Sequence, residues 1–339
     1  MFFSLADNYT EFDPCTDFDK LACNGFRAKR APSPGSGQAS TFTSEPVRVT
    51  LKYILEGPYP SGPGNGFISE SLSDDQIAVD RDNFKLVTDA YNACLKNTAV
   101  EEAGLEPLIS IIDHIGDAFP KKASSDLITE SDDLGKVLLI FAQLSIPTFE
   151  LQPLYDVGYP SYINYGGLGA VLGHELTHGF DNTGHNYAPN GSLANWFKEA
   201  SEKAFADRAQ CFAWQYSRFS VATNGTRVPV RGNATLGENI ADAGGLVTVF
   251  AAWKHQKADG KTKDYDLLGL GGFTHDQLFF VQYAQGWCNV SGSPAYDVWL
   301  VNNDVHSPGH ARINGPLSNS VDFIRAFNCP VREVECMLW

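Results

Sequence analysis

The sequence predicts a mainly helical fold with a smaller share of strand, in the mainly α (α+β) class. Three observations carry this reading. Apolar residues recur at three- and four-residue steps over residues 75–96 and 105–118, the period of helices with one face in a core. Gly173-His174-Glu175-Leu176-Thr177-His178 sets two histidines four residues apart, downstream of the apolar Leu168, Val171 and Leu172. Leu236-Gly237-Glu238-Asn239-Ile240-Ala241-Asp242-Ala243-Gly244-Gly245 sets two carboxylates at the same spacing. On helices, residues four apart stack on one face, so each pair points at one target.

In chain order, residues 1–30 hold Cys15 and Cys23 in Asp13-Pro14-Cys15-Thr16-Asp17-Phe18 and Ala22-Cys23-Asn24-Gly25. The two thiols either staple this arm to something distant or are unrelated buried cysteines. Residues 31–46, rich in Ser, Pro and Gly, read as a surface loop. Residues 47–55 read as a short helix, and 136–146 as an apolar run that is helix or strand. Nothing in residues 1–146 carries recognisable chemistry, so this half reads as scaffold.

The histidine pair is the spacing that binds a single zinc ion, with Glu175 rotated about 100° from His174, beside the metal. There Glu175 is positioned to take a proton from a metal-bound water. Two histidines leave a catalytic zinc one protein ligand short. Glu238 is read as that third ligand, and Asp242 as the carboxylate that accepts the free ring N–H of His174. A solvated acidic face is the competing reading, weakened because an exposed face rarely reads Ile-Ala-x-Ala-Gly-Gly. Asp181 either plays the same part for His178 or is an ordinary polar residue at a helix end. Within Asn303-Asp304-Val305-His306-Ser307-Pro308-Gly309-His310-Ala311-Arg312, His306 suits a donor to an oxyanion. Arg312 suits a guanidinium fork for a substrate carbonyl or carboxylate. Composition alone favours a loop histidine and a surface arginine.

With 339 residues, a net charge of −15 and 43% hydrophobic residues, the chain is a globular protein of one large or two ordinary domains. The charge argues against nucleic acid or an anionic membrane surface as partner. No run of eighteen apolar residues exists to span a membrane, and the first residues lack the pattern of a signal peptide. Seven cysteines and five sequons, at Asn8, Asn190, Asn224, Asn233 and Asn289, point instead to an oxidising, glycosylating compartment. A chain without its natural N-terminus reconciles the two. Oligomeric state is not readable.

From about Leu151 onward the chain resembles the neprilysin and endothelin-converting enzyme family of zinc metallopeptidases. The resemblance rests on Leu151-Gln152-Pro153, Asn164-Tyr165-Gly166-Gly167, Gly173 through Asp181, Thr235 through Asp242, Phe273-Thr274 through Phe280, Asp304 through Pro308, and Cys336-x-x-Trp339. It implies a thermolysin-like catalytic lobe over residues 147–339 and a partial helical region over 1–146. It also implies one zinc ion on His174, His178 and Glu238, with Glu175 as general base and Asp242 behind the metal ligands. His306 is implied as oxyanion donor and Arg312 as substrate anchor. The substrates implied are small extracellular peptides, cut on the amino side of a hydrophobic residue. Extracellular or cell-surface placement follows from the same resemblance, as do the pairs Cys15–Cys329, Cys23–Cys288 and Cys211–Cys336.

Family members are longer. The block that normally separates residues matching 8–146 from the catalytic lobe is missing, with a junction near 140–150, and Cys94 is left without its partner. The Asn-Ala-x-Tyr segment that hydrogen-bonds substrate backbone is absent, Leu134-Gly135-Lys136-Val137-Leu138-Leu139 standing in its place. A chain that binds zinc but positions substrate poorly is therefore the alternative expectation.

Overall fold

The computed structural model describes residues 5–32, 38–40, 154–155, 158–187, 193, 197, 199–223, 225–330 and 334–338. The helices expected at 47–55, 75–96 and 105–118, the run at 136–146, the junction, Leu151-Gln152-Pro153 and Cys94 lie outside them.

Among the described residues helix dominates. Helix α1 (Phe18–Lys29) starts where the Asp17 carboxylate accepts the N–H of Lys20. It turns Phe18, Leu21, Ala22, Cys23 and Phe26 into the main core. A nearly continuous helical run follows, from α2 (Ser161–Asn164) through a π-turn segment (Tyr165–Gly169) into α3 (Ala170–Thr177) and a 3-10 turn (His178–Phe180). Then come α4 (Glu199–Tyr216), α5 (Leu236–Ala258), α6 (His275–Gly286), α7 (Pro294–Asn303), α8 (Gly309–Ser318) and α9 (Val321–Ala326).

Strand content is small. Strands β2 (Ser220–Thr223) and β3 (Thr226–Pro229) form a hairpin with Gly225 at φ 78°, a value that glycine adopts without strain. Strand β1 (Gln38–Ser40) pairs antiparallel with β4 (Asn289–Ser291), Gln38 opposite Ser291. This corrects the expectation of a loop throughout 31–46: three of those residues find ladder partners about 250 positions away, which local composition does not encode.

Two helices set the centre of the fold. Helix α6 begins with a capping box, Thr274 and Gln277 each bonding the other's backbone, and buries Leu278 through Gly286. Helix α5 buries Ile240, Ala241, Leu246, Val249, Phe250 and Trp253. Trp253 stacks on Phe279 at 5.8 Å, and Phe250 on Phe280 at 5.0 Å. A smaller core lies between α4, α5 and the C-terminal segment, around Phe212, Tyr216, Ile240 and Leu338.

Glycines allow the helices to touch. A Cβ on Gly245 of α5 would stand 2.5 Å from the backbone nitrogen of His174, and one on Gly173 of α3 would meet the Val249 side chain and the Gly245 carbonyl. The helix carrying the histidines thus lies backbone to backbone on the helix carrying Glu238 and Asp242.

Three disulfides close the structure: Cys15–Cys329, Cys23–Cys288 and Cys211–Cys336, spanning 314, 265 and 125 residues. All three implied pairs are present. The chain-entropy model assigns loops this long roughly 5 kcal/mol each. Beside them, Asn314 of α8 donates to Asp17 and accepts the N–H of Asp19, while Arg27 grips both oxygens of Asp19 at 2.7 and 2.8 Å. The N-terminal arm is therefore fixed to the back of α8.

The glycine crossing gives the first prediction. Gly245→Ala forces α3 and α5 apart and lowers unfolding stability by about 1–3 kcal/mol, the usual cost of overpacking. Chemical denaturation of the oxidised protein measures it, and an unchanged midpoint would show that the crossing tolerates a methyl group.

Candidate metal centre

Four elements converge on one point. Helix α3 delivers His174, the 3-10 turn after it His178, α5 Glu238 and Asp242, and the segment between α7 and α8 His306. The expected residues are brought together. Nε2 of His174 and Nε2 of His178 lie 3.0 Å apart, and Oε2 of Glu238 lies 3.2 Å from the first and 3.5 Å from the second. A tetrahedral ion with bonds of about 2.0–2.1 Å spaces its donors roughly 3.3 Å apart. The donor set fits a single divalent ion of the zinc type.

The outer ring nitrogens strengthen the fit. Nδ1 of His174 lies 2.8 Å from Asp242, and Nδ1 of His178 lies 2.7 Å from Asp181. A carboxylate only accepts, so each Nδ1 carries the proton and each neutral ring turns a lone pair inward. Two lone pairs and a carboxylate oxygen then face one another. Oε2 of Glu238 is moreover buried without hydrogen-bond geometry to any neighbour. Such a cluster is stable only around a cation, either protons or a metal ion.

In the metal-free protein, protons fill that role. Burial alone would lower the His178 ring, but Asp181 and Glu238 outweigh it and raise its pKa to about 10. His174 moves the same way, burial opposing and Asp242 and Glu238 prevailing. Burial would raise Glu238, yet three imidazoles hold it far below the ordinary carboxylate range.

Asp242 is fully buried and answers two neighbours. Arg312 grips both its oxygens, Nε and Nη2 each at 2.8 Å, while its Oδ1 also faces His174. Burial pushes its pKa up, and the Arg312 charge brings it below the ordinary value. Arg312 is only 8% exposed and lies under the Trp287 ring, 3.6 Å from its centroid. The arginine expected to anchor substrate is thus largely occupied with Asp242, though it still lines the cleft.

Sequence reasoning missed several supports. Asp304 Oδ1 accepts both the backbone N–H and Nδ1–H of His306, at 2.9 and 2.8 Å, and aims the other ring nitrogen at Glu238, 3.2 Å away. Glu238 is the main cause of the raised His306 pKa. Ser307 donates to Asn239 at 2.7 Å and so latches the His306 segment to α5. Asp304, Ser307 and Asn239 stand within the same short sequence segments as His306 and Glu238, and that proximity is the signal that could have found them. Trp287 had none. Asp181 sits on His178 itself, favouring the supporting role over that of an ordinary end residue.

A cleft of about 370 Å³ opens over the centre, lined by Glu175, His174, His306 and Arg312 and by the apolar Val171, Trp287, Leu300 and Val301. Glu175 is exposed into it. Fold and site together define a helical protein with a His–His–Glu metal centre in a partly apolar cleft.

The comparisons agree. The profile of peptidase family M13 matches residues 142–335, and the profile of that family's N-terminal region matches residues 14–165. Neprilysin of Oryctolagus cuniculus is 41% identical over 204 residues, 58% of this chain and 26% of that protein. The endothelin-converting enzyme homolog of Locusta migratoria is 42% identical over 190 residues, 56% of this chain and 25% of that protein. In fold, the chain is similar to the open state of a zinc metalloprotease of Mycobacterium tuberculosis, with a TM-score of 0.58 at 21% identity, covering 79% of this chain and 52% of that one. The chain belongs to peptidase family M13, the family of neprilysin and endothelin-converting enzymes. The matched segment spans about a quarter of the length of these curated relatives.

Because bound protons occupy the centre without metal, metal uptake must release them. Apparent zinc affinity rises with pH and levels off above about 10, where His178 is already neutral. In the metal-free chain the same shift adds stability that is complete below about pH 6.5 and is lost as pH rises through about 10. Titration calorimetry at pH 7.5 in two buffers of different ionisation enthalpy measures the proton release. Equal heats in both would mean that none leave.

Proposed function

We propose that this chain is a zinc-dependent endopeptidase that hydrolyses small peptides on the amino side of hydrophobic residues. The observation that carries it is the convergence of His174, His178 and Glu238 at donor spacing beneath a cleft that also holds Glu175 and His306. His174, His178 and Glu238 are the residues that would hold one zinc ion. Bound there, zinc lowers the pKa of a water molecule and polarises a carbonyl oxygen.

The chain's own groups do the rest. Glu175, free to face the cleft, takes the proton from the attacking water and passes it to the leaving amine. His306, its pKa raised by Glu238 and Asp304, donates a hydrogen bond to the oxygen on which negative charge develops. Asp242, neutralised by Arg312, fixes the tautomer of His174, and Asp181 does so for His178. Val171, Leu300, Val301 and Trp287 offer apolar lining to a substrate side chain.

Extracellular or cell-surface placement is part of the same reading. Three disulfides persist in an oxidising compartment. Asn8 and Asn233 are exposed enough to carry glycans, while Asn289 lines the cleft. No helix among the described residues is long and apolar enough to cross a membrane. In domain terms, residues 147–339 form the catalytic unit and residues 1–146 a partial helical region. A second reading, a zinc-binding member with impaired substrate positioning, is favoured by one fact: the match covers only 25–26% of the relatives' length.

Hydrolysis of a quenched peptide panel by the zinc-loaded chain separates the two. Glu175→Gln lowers kcat/KM by about 10²–10⁴ with zinc still bound, the usual worth of general acid–base catalysis. Glu238→Ala removes both zinc and cleavage, and a chelator abolishes activity that added zinc restores. Stoichiometric zinc with negligible cleavage in both the parent chain and Glu175→Gln would establish the second reading.

A further inference from the structure

Seven residues beyond His178 lies a histidine that plays no part in this chemistry. His185 is 3% exposed, in the short 3-10 turn Gly184–Asn186. Its ring stacks on Phe197, centroids 4.6 Å apart, and tilts against Phe205 of α4 at 5.2 Å. Nε2 faces the Glu202 carboxylate at 3.2 Å. Nδ1 lies 2.5 Å from the backbone oxygen of Asp181. A carbonyl only accepts, so Nδ1 carries the proton and donates it there.

Asp181 is the residue that grips His178. At Asp181 the chain leaves the helix for an extended conformation, φ −76° and ψ −177°, and turns back on itself. One carboxylate oxygen holds Nδ1 of His178 at 2.7 Å, and the other accepts the N–H groups of Thr183 and Gly184, each at 2.7 Å. Gly184 is pressed against the His178 carbonyl, where no Cβ fits. The carboxylate is thus aimed by a tight turn, and His185 pins that turn from below. A slot between Phe197 and Phe205 is filled as well by a third aromatic ring. Burying a polar imidazole there costs free energy unless its hydrogen bond is made and used.

We infer that His185 is a positioning residue for the metal centre: wedged between Phe197 and Phe205, it holds the Asp181 carbonyl and so orients the carboxylate that fixes the His178 ring. The inference rests on the reading of His178 as a metal ligand. It also ties α4, disulfide-bonded to the C-terminal segment through Cys211, to the geometry of a ligand on the 3-10 turn after α3.

The test uses the full oxidised chain and the metal alone, with affinity for Zn²⁺ and Co²⁺ measured against a chromophoric chelator and the visible Co²⁺ spectrum recorded. His185→Phe fills the slot without a donor. His185→Asn keeps a donor near the position of Nδ1 without the ring. The expected result is a roughly 10–100-fold loss of affinity and a shifted Co²⁺ band in the Phe variant, the usual consequence of losing a support behind a ligand. The Asn variant recovers most of that affinity despite a lower Tm. In an Asp181→Ala background, either substitution of His185 costs no further affinity, because both act through one contact.

Parent affinity and spectrum in the Phe variant, or additive losses in the Asp181→Ala background, would overturn the role of His185. If the Phe variant does not fold, the Asn variant and the double variants still decide. Failure of the metal reading has a different signature: parent protein that binds no metal, or undiminished binding in His178→Ala.

Discussion

The contact on which the structure depends is the crossing of α3 on α5 at Gly173 and Gly245. A metal centre built from two helices needs their donor atoms within about 3.5 Å of one another, while helix axes ordinarily pack 8–10 Å apart. Side chains as short as Glu and His bridge that distance from facing turns only if nothing stands between the backbones. Gly245 against the His174 nitrogen removes the obstacle. The π-turn segment before α3 serves the same end, since Gly166 leaves no room for a Cβ against the Phe279 carbonyl of α6. The helical run is therefore held by α6 at the π-turn segment and by α5 at α3, with the histidines turned to Glu238.

Around this crossing the charges form a graded series. Arg312 neutralises Asp242, Asp242 orients His174, and His174 faces Glu238. A buried carboxylate with two such partners is stable, whereas removing one would leave an uncompensated charge and cost about 3–5 kcal/mol. Trp287 lies over the guanidinium and packs against the charge that holds the pair. The same residues thus hold the core together and tune the centre, so the inner wall of the cleft cannot be varied independently of stability.

What could be read beforehand followed from local spacing. The four-residue intervals His174–His178 and Glu238–Asp242 required only a helix to become two converging pairs. Asp181 and Asp242 were readable because each lies near a donor in sequence or in helical phase. Unreadable were contacts between segments with no shared period. Strand β1 depends on β4, Asp304 acts through a two-residue loop geometry, and Trp287 meets Arg312 only because α6 ends beside α8. Arg312 shows the limit most plainly. A charged residue near a loop reads as surface, and only the three-dimensional partner, a buried aspartate 70 positions away, explains its burial. The disulfides were accessible through family resemblance and not through spacing, since seven cysteines admit many pairings.

The Cys15–Cys329 and Cys23–Cys288 bonds have a consequence for how the molecule is made. A chain emerges from the ribosome N-terminus first, at about 5–20 residues per second. The thiols of Cys15 and Cys23 are therefore synthesised early and wait until their partners, 314 and 265 residues later, have appeared. During that interval each is the nearest oxidation partner of the other. The arm's native place on α6 and α8 does not exist until both helices have folded. Attachment of the N-terminal arm through these two bonds is thus completed only once nearly the whole chain has been made.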